Sequence, residues 1–305
     1  MAGPVFALTI LFAALSDAAY AGAVGCLLAI RWLDDPSPGA NAVRPSGLVR
    51  VYLASLAALI LCHLVRPWLL AAGMSGSSGF VSNLAFIPTV LSSTHMGRVW
   101  YFDSVAVAVL LVATLFAART GRRAPAWPFV LALVLFAGAK AASGHPAGAG
   151  NSPLPEISMG FHFLSIALWA GIVIASGLVV IPHLAHSAEP EALWRYGRIL
   201  SRTITWNLPV ILLSGVYISY SELDGALSGL WLSGWGNILI AKLILVGLAL
   251  ALGALTRFRC VQRPATGERA KLMVQLVRAE AVVMILILCI SGLLANTAPP
   301  MDTPR

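Results

Sequence analysis

Apolar stretches of about twenty residues recur along the whole of this 305-residue chain, and few folds tolerate that pattern. A spanning helix needs about 20 mainly apolar residues. Eight segments qualify, at roughly 5–30, 47–73, 98–119, 126–144, 157–183, 199–221, 236–258 and 275–296. Hydrophobic residues make up 59% of the chain and charged ones only 10%. The expectation is an all-α polytopic membrane protein with eight transmembrane helices. No connecting loop is long enough to fold as a soluble unit, so 1–305 reads as a single transmembrane domain.

The basic residues sort by loop. Arg31, Arg44 and Arg50 surround the first connection, Arg119, Arg122 and Arg123 lie in the third, and Arg195, Arg198 and Arg202 surround the fifth. Arg257, Arg259, Arg263, Arg269, Lys271 and Arg278 gather around the seventh. The other side carries Arg66, Arg98, Lys140 and Lys242 near helix ends, and Arg305 at the terminus. The positive-inside rule then sets a multi-pass inner-membrane protein with both termini periplasmic. Residues 80–95 test this count, being apolar but short and carrying Ser82, Asn83, Pro88, Ser92 and Ser93. A crossing there would turn every later Arg-rich loop outward, so they read as a short periplasmic interfacial or re-entrant helix.

The net charge of +8 points to helix ends meeting anionic headgroups of the lipid bilayer rather than to nucleic acid. The first apolar segment lacks a basic flank and reads as a helix rather than a cleaved signal. Cys26, Cys62, Cys260 and Cys289 form no CxxC pair and read as small apolar residues.

The two halves echo each other. Leu15-Ser16-Asp17-Ala18-Ala19-Tyr20-Ala21-Gly22 resembles Leu164-Ser165-Ile166-Ala167-Leu168-Trp169-Ala170-Gly171. Gly97 precedes Asp103 by the spacing at which Gly236 precedes Lys242. Four helices per unit would give a parallel 4+4 repeat, with repeat one at about 1–144 and repeat two at about 145–305. Transport folds built this way place their substrate between the repeats.

Chemistry can come from few residues. His95, Met96, His145, Met159 and His162 lie on the periplasmic side, with Met159 and His162 three apart on one helix face. Imidazole with thioether is a ligand set that suits copper, Cu(I) or Cu(II). A lone histidine in such a layer is more often bonded to backbone or water, and short spacings alone do not assemble a site. His63 lies deeper, beside Cys62. Asp17 falls near the middle of its helix, where a carboxylate costs about 2.5–3.5 kcal/mol on insertion scales. It is therefore a functional candidate or half of a buried polar pair. Asp103 and Lys242 would neutralise each other across the seam. Glu280 and Arg278 fall near a helix end and would snorkel. His183 and His186 form an HxxH pair at the arginine-rich side, either a metal exit point or merely polar residues at a helix end. No HExxH, GxSxG or phosphate loop is present, so the chain does not read as an enzyme.

Gly160-Phe161-His162-Phe163-Leu164-Ser165-Ile166-Ala167-Leu168-Trp169-Ala170-Gly171 resembles the "LH…W-x-G" helix of the copper-resistance protein D family (CopD, PcoD). Further elements follow in the family's order: Thr94-His95-Met96-Gly97-Arg98-Val99-Trp100, Ser143-Gly144-His145, Tyr196-Gly197-Arg198-Ile199, Leu213-Ser214-Gly215-Val216 and Trp235-Gly236-Asn237-Ile238-Leu239-Ile240-Ala241-Lys242. Asp103 departs from the pattern, standing where the family often has a basic residue. The resemblance implies an inner-membrane protein that moves copper from periplasm toward cytoplasm, often beside a small periplasmic copper protein of the CopC type. His145 and His162 match the family's histidines, and His63, His95, Met96 and Met159 are the other candidate ligands. Asp17, Asp103, Lys242 and Trp169 would line a pathway or form charge pairs. The alternative is a haem-binding electron-transfer or haem-processing protein with His63 and His162 as axial ligands.

Overall fold

The computed structural model describes residues 3–34, 45–77, 79–120, 125–143, 153–186, 190–223, 228–262 and 267–298, and these residues form helices joined by short turns. In chain order they are α1 (Gly3–Leu33), α2 (Ser46–Ser75), α3 (Phe80–Ser93), α4 (His95–Thr120), α5 (Ala126–Ala142) and α6 (Leu154–Ala175). A π-helical turn, Ser176–Val180, continues α6 into α7 (Ile181–His186). Then come α8 (Pro190–Glu222), α9 (Gly229–Leu232), α10 (Gly234–Thr256), a second π turn at Arg257–Val261, and α11 (Glu268–Leu294).

Seven of the resulting rods are long and apolar enough to cross a membrane: Gly3–Leu33, Ser46–Ser75, His95–Thr120, Leu154–His186, Pro190–Glu222, Gly234–Val261 and Glu268–Leu294. The chain is a multi-pass membrane protein. The eighth expected span, α5, is apolar but has 17 residues. At 1.5 Å per residue it measures about 25 Å, the short end of what can cross. The 14-residue α3 reaches only about 21 Å and falls short of the hydrocarbon core. It folds back on α2, where Trp68 Nε1 donates to the Phe80 carbonyl at 3.3 Å and Ser75 Oγ donates to Asn83 Oδ1 at 2.8 Å. Large apolar side chains remain exposed on the outer faces, among them Leu64, Phe102, Trp206 and Leu213. Such a surface belongs against lipid tails.

Small residues let the central helices approach. A Cβ placed at Gly25 of α1 would collide with the Gly171 carbonyl of α6, and one at Gly171 would collide with the Ala21 carbonyl. Lipid provides no hydrophobic drive between helices, so close backbone contact of this kind supplies the attraction. Gly292 brings α11 against Ala14 of α1 in the same way, and Gly177 brings the first π turn against the Val277 carbonyl. Around this centre Tyr20 stacks on Phe136 at 4.6 Å and on Phe163 at 5.0 Å, joining α1, α5 and α6.

One expectation fails here. Glu280 does not snorkel: it is 3% exposed. Helix α11 begins at Glu268, earlier than the apolar run suggests, so Glu280 stands twelve residues inside rather than at an end. Arg278, two positions away, faces outward.

Candidate functional site

Asp17 is buried in α1 and Lys140 reaches it from the last turn of α5 at 2.6 Å. The lysine ammonium also lies 5.5 Å from the centre of the Phe163 ring of α6. Asp17 therefore faces the bundle interior as half of a polar pair, its charge met inside the protein rather than in lipid.

Asp103 of α4 is also buried, but its partners are on α2 and not on α10. His63 Nδ1 lies 3.0 Å from Asp103 Oδ2, and Arg66 lies 3.6 Å from the same oxygen. His63 Nε2 meets Ser104 Oγ at 2.9 Å. The imidazole lies flat on Trp100, 4.8 Å between centres, and the Trp100 N–H donates to the His63 carbonyl. This corrects the expected Asp103–Lys242 pair. Residues at matching positions of two similar segments face their own neighbours, and α4 packs beside α2 and α5, not α10. Lys242 makes no ion pair among the described residues, though it lies within electrostatic reach of Asp17 and His162.

His162 is half-buried on α6, facing α8. Its Nδ1 lies 2.9 Å from Ser214 Oγ and 3.2 Å from the Ile211 carbonyl. The Ser214 hydroxyl proton goes to the Val210 carbonyl, so Nδ1 is the donor and Nε2 keeps its lone pair. A metal-ligating histidine is usually held this way, its second nitrogen donating to backbone. Gly215 makes room for the ring: a Cβ there would lie 2.9 Å from His162 Cε1. The Ser214-Gly215 pair, visible in the sequence only as a motif, thus orients the imidazole.

His95 is exposed at the start of α4, where Nε2 donates to the Ala142 carbonyl at 3.0 Å and leaves Nδ1 available. Met96 and Met159 are half-buried, Met159 one turn before His162. His145 lies outside the described residues. His63 has both nitrogens engaged, so it offers no lone pair without losing Asp103 or Ser104. His183 and His186 are exposed at the end of α7, with His186 Nδ1 donating to the Pro182 carbonyl at 2.6 Å. Among the described residues no three His, Cys, Asp or Glu side chains gather as a metal site. The expected ligands fall instead at three places: α2–α4, α6–α8, and the α4–α5 ends. Trp169 is buried, and its N–H makes no well-formed hydrogen bond.

Sequence reasoning missed His63 and Arg66 as partners of Asp103, and Ser104 as the second partner of His63. A signal was present, since Arg66 is three residues from His63 and Ser104 adjoins Asp103, and residues three apart share a helix face.

Two family profiles match the chain in succession. "Copper resistance protein D-like, N-terminal domain" matches residues 3–152, and "Copper resistance protein D" matches residues 192–294. A relative from Pseudomonas syringae pv. tomato, "Copper resistance protein D", is 26% identical over 289 residues, covering 86% of this chain and 89% of its own length. No solved structure matches the chain.

Proposed function

We propose, from the chain's membership of the copper-resistance protein D family, that it binds copper and carries it across the inner membrane from periplasm toward cytoplasm. The observation that carries this reading is the set of His162: a half-buried imidazole whose Nδ1 proton is fixed on Ile211 and Ser214, with Nε2 free. Met159, one turn earlier, offers a thioether on the same helix face, and thioether with imidazole favours copper over hard cations. His95 and Met96, at the ends of α4 and α5, would form the outer station, and His145 would be a further ligand. Weak binding by few ligands suits a carrier, because an ion held tightly cannot leave. Copper here is cargo, and no covalent chemistry is asked of the chain.

The proposal includes an eight-span arrangement. The 17-residue α5 crosses as the short eighth span, both termini are periplasmic, and the halves 1–144 and 145–305 form a parallel 4+4 repeat. Support for the repeat comes from α1 and α6, which carry the echoing sequences and cross at Gly25 and Gly171. Asp17 with Lys140, Lys242 and Trp169 would then line the seam, with His183 and His186 at the exit. A periplasmic protein of the CopC type would deliver the metal. Nothing favours the haem alternative, since both His63 nitrogens are committed.

Metal analysis of purified protein tests the reading. Wild type should retain copper, His162→Ala should lose most of it, and Ser214→Ala should bind roughly 10–100-fold more weakly. Equal copper content in wild type and His162→Ala would remove His162 from the site, and uptake by copper-loaded proteoliposomes then decides whether the chain carries copper at all.

A further inference from the structure

Among the described residues three carboxylates are buried away from the helix ends, and they differ in their company. Asp17 has Lys140 at 2.6 Å, and Asp103 has His63 at 3.0 Å and Arg66 at 3.6 Å. Glu280 is as deeply buried and has no ion pair among the described residues. An intramembrane carboxylate without a cation is costly, and one kept at this depth calls for a role.

Glu280 lines a cavity of about 370 Å³ between α6, α8, α10 and α11, with Trp169, Gly253, Val277 and Met273 among the walls. Ser201, Thr205, Arg257 and Val261 are shared with a larger vestibule of about 930 Å³, lined by Arg195, Arg198 and Arg202, at the arginine-rich end of the helices. Glu280 thus stands in the wall of a recess that can be wetted from that end. The Trp169 indole lies close enough to interact with the carboxylate yet makes no well-formed hydrogen bond. Among the described residues the neighbouring elements bring it no cation. On α10, Gly253 abuts the carboxylate, where a Cβ would lie 3.3 Å from Oε1, and Lys242 is eleven residues away, about 16 Å along the axis. On α1, Asp17 is held by Lys140, and Tyr20 donates to the Leu133 carbonyl. On α6, His162 bonds toward α8, while His183 and His186 of α7 are exposed. After α10, Arg257 lines the cavity but is exposed and bonds Thr205, and Arg259 is exposed.

We propose that Glu280 is a proton-binding site in the wall of this recess, taking up and releasing one proton through the arginine-rich vestibule. Uptake places a proton from cavity water on a carboxylate oxygen and leaves the site neutral, the state that burial without a cation favours. On release the proton returns to water, leaving the ionised carboxylate beside the Trp169 indole. The geometry suits a charge that can be switched on and off inside the bundle, whereas Asp17 and Asp103 are held in ion pairs. The proposal stands apart from the copper reading.

The test uses full-length protein in lipid nanodiscs. A hydrophobic carbodiimide adds to protonated carboxylic acids, and peptide mass spectrometry locates the adduct. Glu280 should be modified at acidic pH and several-fold less at alkaline pH, with Asp17 and Asp103 spared at the same dose and the adduct absent from Glu280→Gln. Equal modification of all three acids, or modification of Glu280 that ignores pH, overturns the proposal. Infrared spectra decide where the reagent does not reach. A carboxylic C=O band should titrate away with rising pH and be missing from Glu280→Gln, and its absence from wild type overturns the site. A water-soluble carbodiimide tests the route: Thr205→Trp, which narrows the shared wall, should slow labelling several-fold, and unchanged labelling overturns access through the vestibule. None of these readouts involves copper, so failure here leaves the copper reading intact, and the reverse holds.

Discussion

The first turns of α4 and α10 are built alike, but two turns further on the helices carry opposite charges. Thr94 and Ser233 each end a short helix and cap the next one, with nearly equal backbone angles, φ −116°, ψ 157° and φ −117°, ψ 151°. Each hydroxyl accepts from a glycine N–H, Gly97 at 3.0 Å and Gly236 at 2.9 Å. Each also donates back into the short helix, to Val90 and Gly229. A Cβ at Gly97 would strike the Leu91 carbonyl, and one at Gly236 would strike the Leu230 carbonyl. Six residues further along, the likeness stops. Asp103 is locked by His63 and Arg66, while Lys242 has no ion pair among the described residues. The shared part is backbone geometry that seats a helix on its predecessor. The part that differs is the charge, held in ion pairs in one half and without an ion pair among the described residues in the other.

The largest effect should come from breaking the locked half. Asp103→Ala leaves Arg66 and His63 without their carboxylate, and stability in detergent should fall by roughly 3–5 kcal/mol. A thermal unfolding midpoint close to wild type would mean that the network is not closed. Next come the glycines. Gly97→Ala and Gly236→Ala should each cost about 1–3 kcal/mol through the forced shift of the preceding short helix. Unequal losses would break the likeness of the two turns. The caps follow, with Thr94→Ala and Ser233→Ala each costing about 1 kcal/mol in the same assay. The smallest stability effect belongs to Lys242→Met, within about 0.5 kcal/mol of wild type because no ion pair is lost. Its copper uptake in proteoliposomes should change nonetheless. A stability loss like that of Asp103→Ala would show that Lys242 has a partner after all.

The helices and their order were legible because a bilayer imposes them. Each crossing must be long, apolar and internally hydrogen-bonded, and those demands are written along single segments. The 14 residues and the polar content that set α3 apart from the long helices were both visible in the sequence. Glu280 was misread for a related reason: the apolar run began later than the helix, whose first turns are polar and lie beyond the apolar run. His162 was legible as a candidate, but its donor Nδ1 and free Nε2 were not, since Ile211 and Ser214 come from another helix.

Partner choice was the work of the tertiary structure. Spacing put Asp103 and Lys242 at matching positions and suggested that they meet. Packing gave Asp103 to α2 and Asp17 to α5, because a side chain meets whatever helix its own face touches, and one segment's sequence carries no record of that neighbour. What the chain determined by itself was a set of apolar rods with basic residues sorted by loop, since length, composition and charge act segment by segment. Which buried acids gained a cation, and that Glu280 did not among the described residues, depended on how those rods turned against one another.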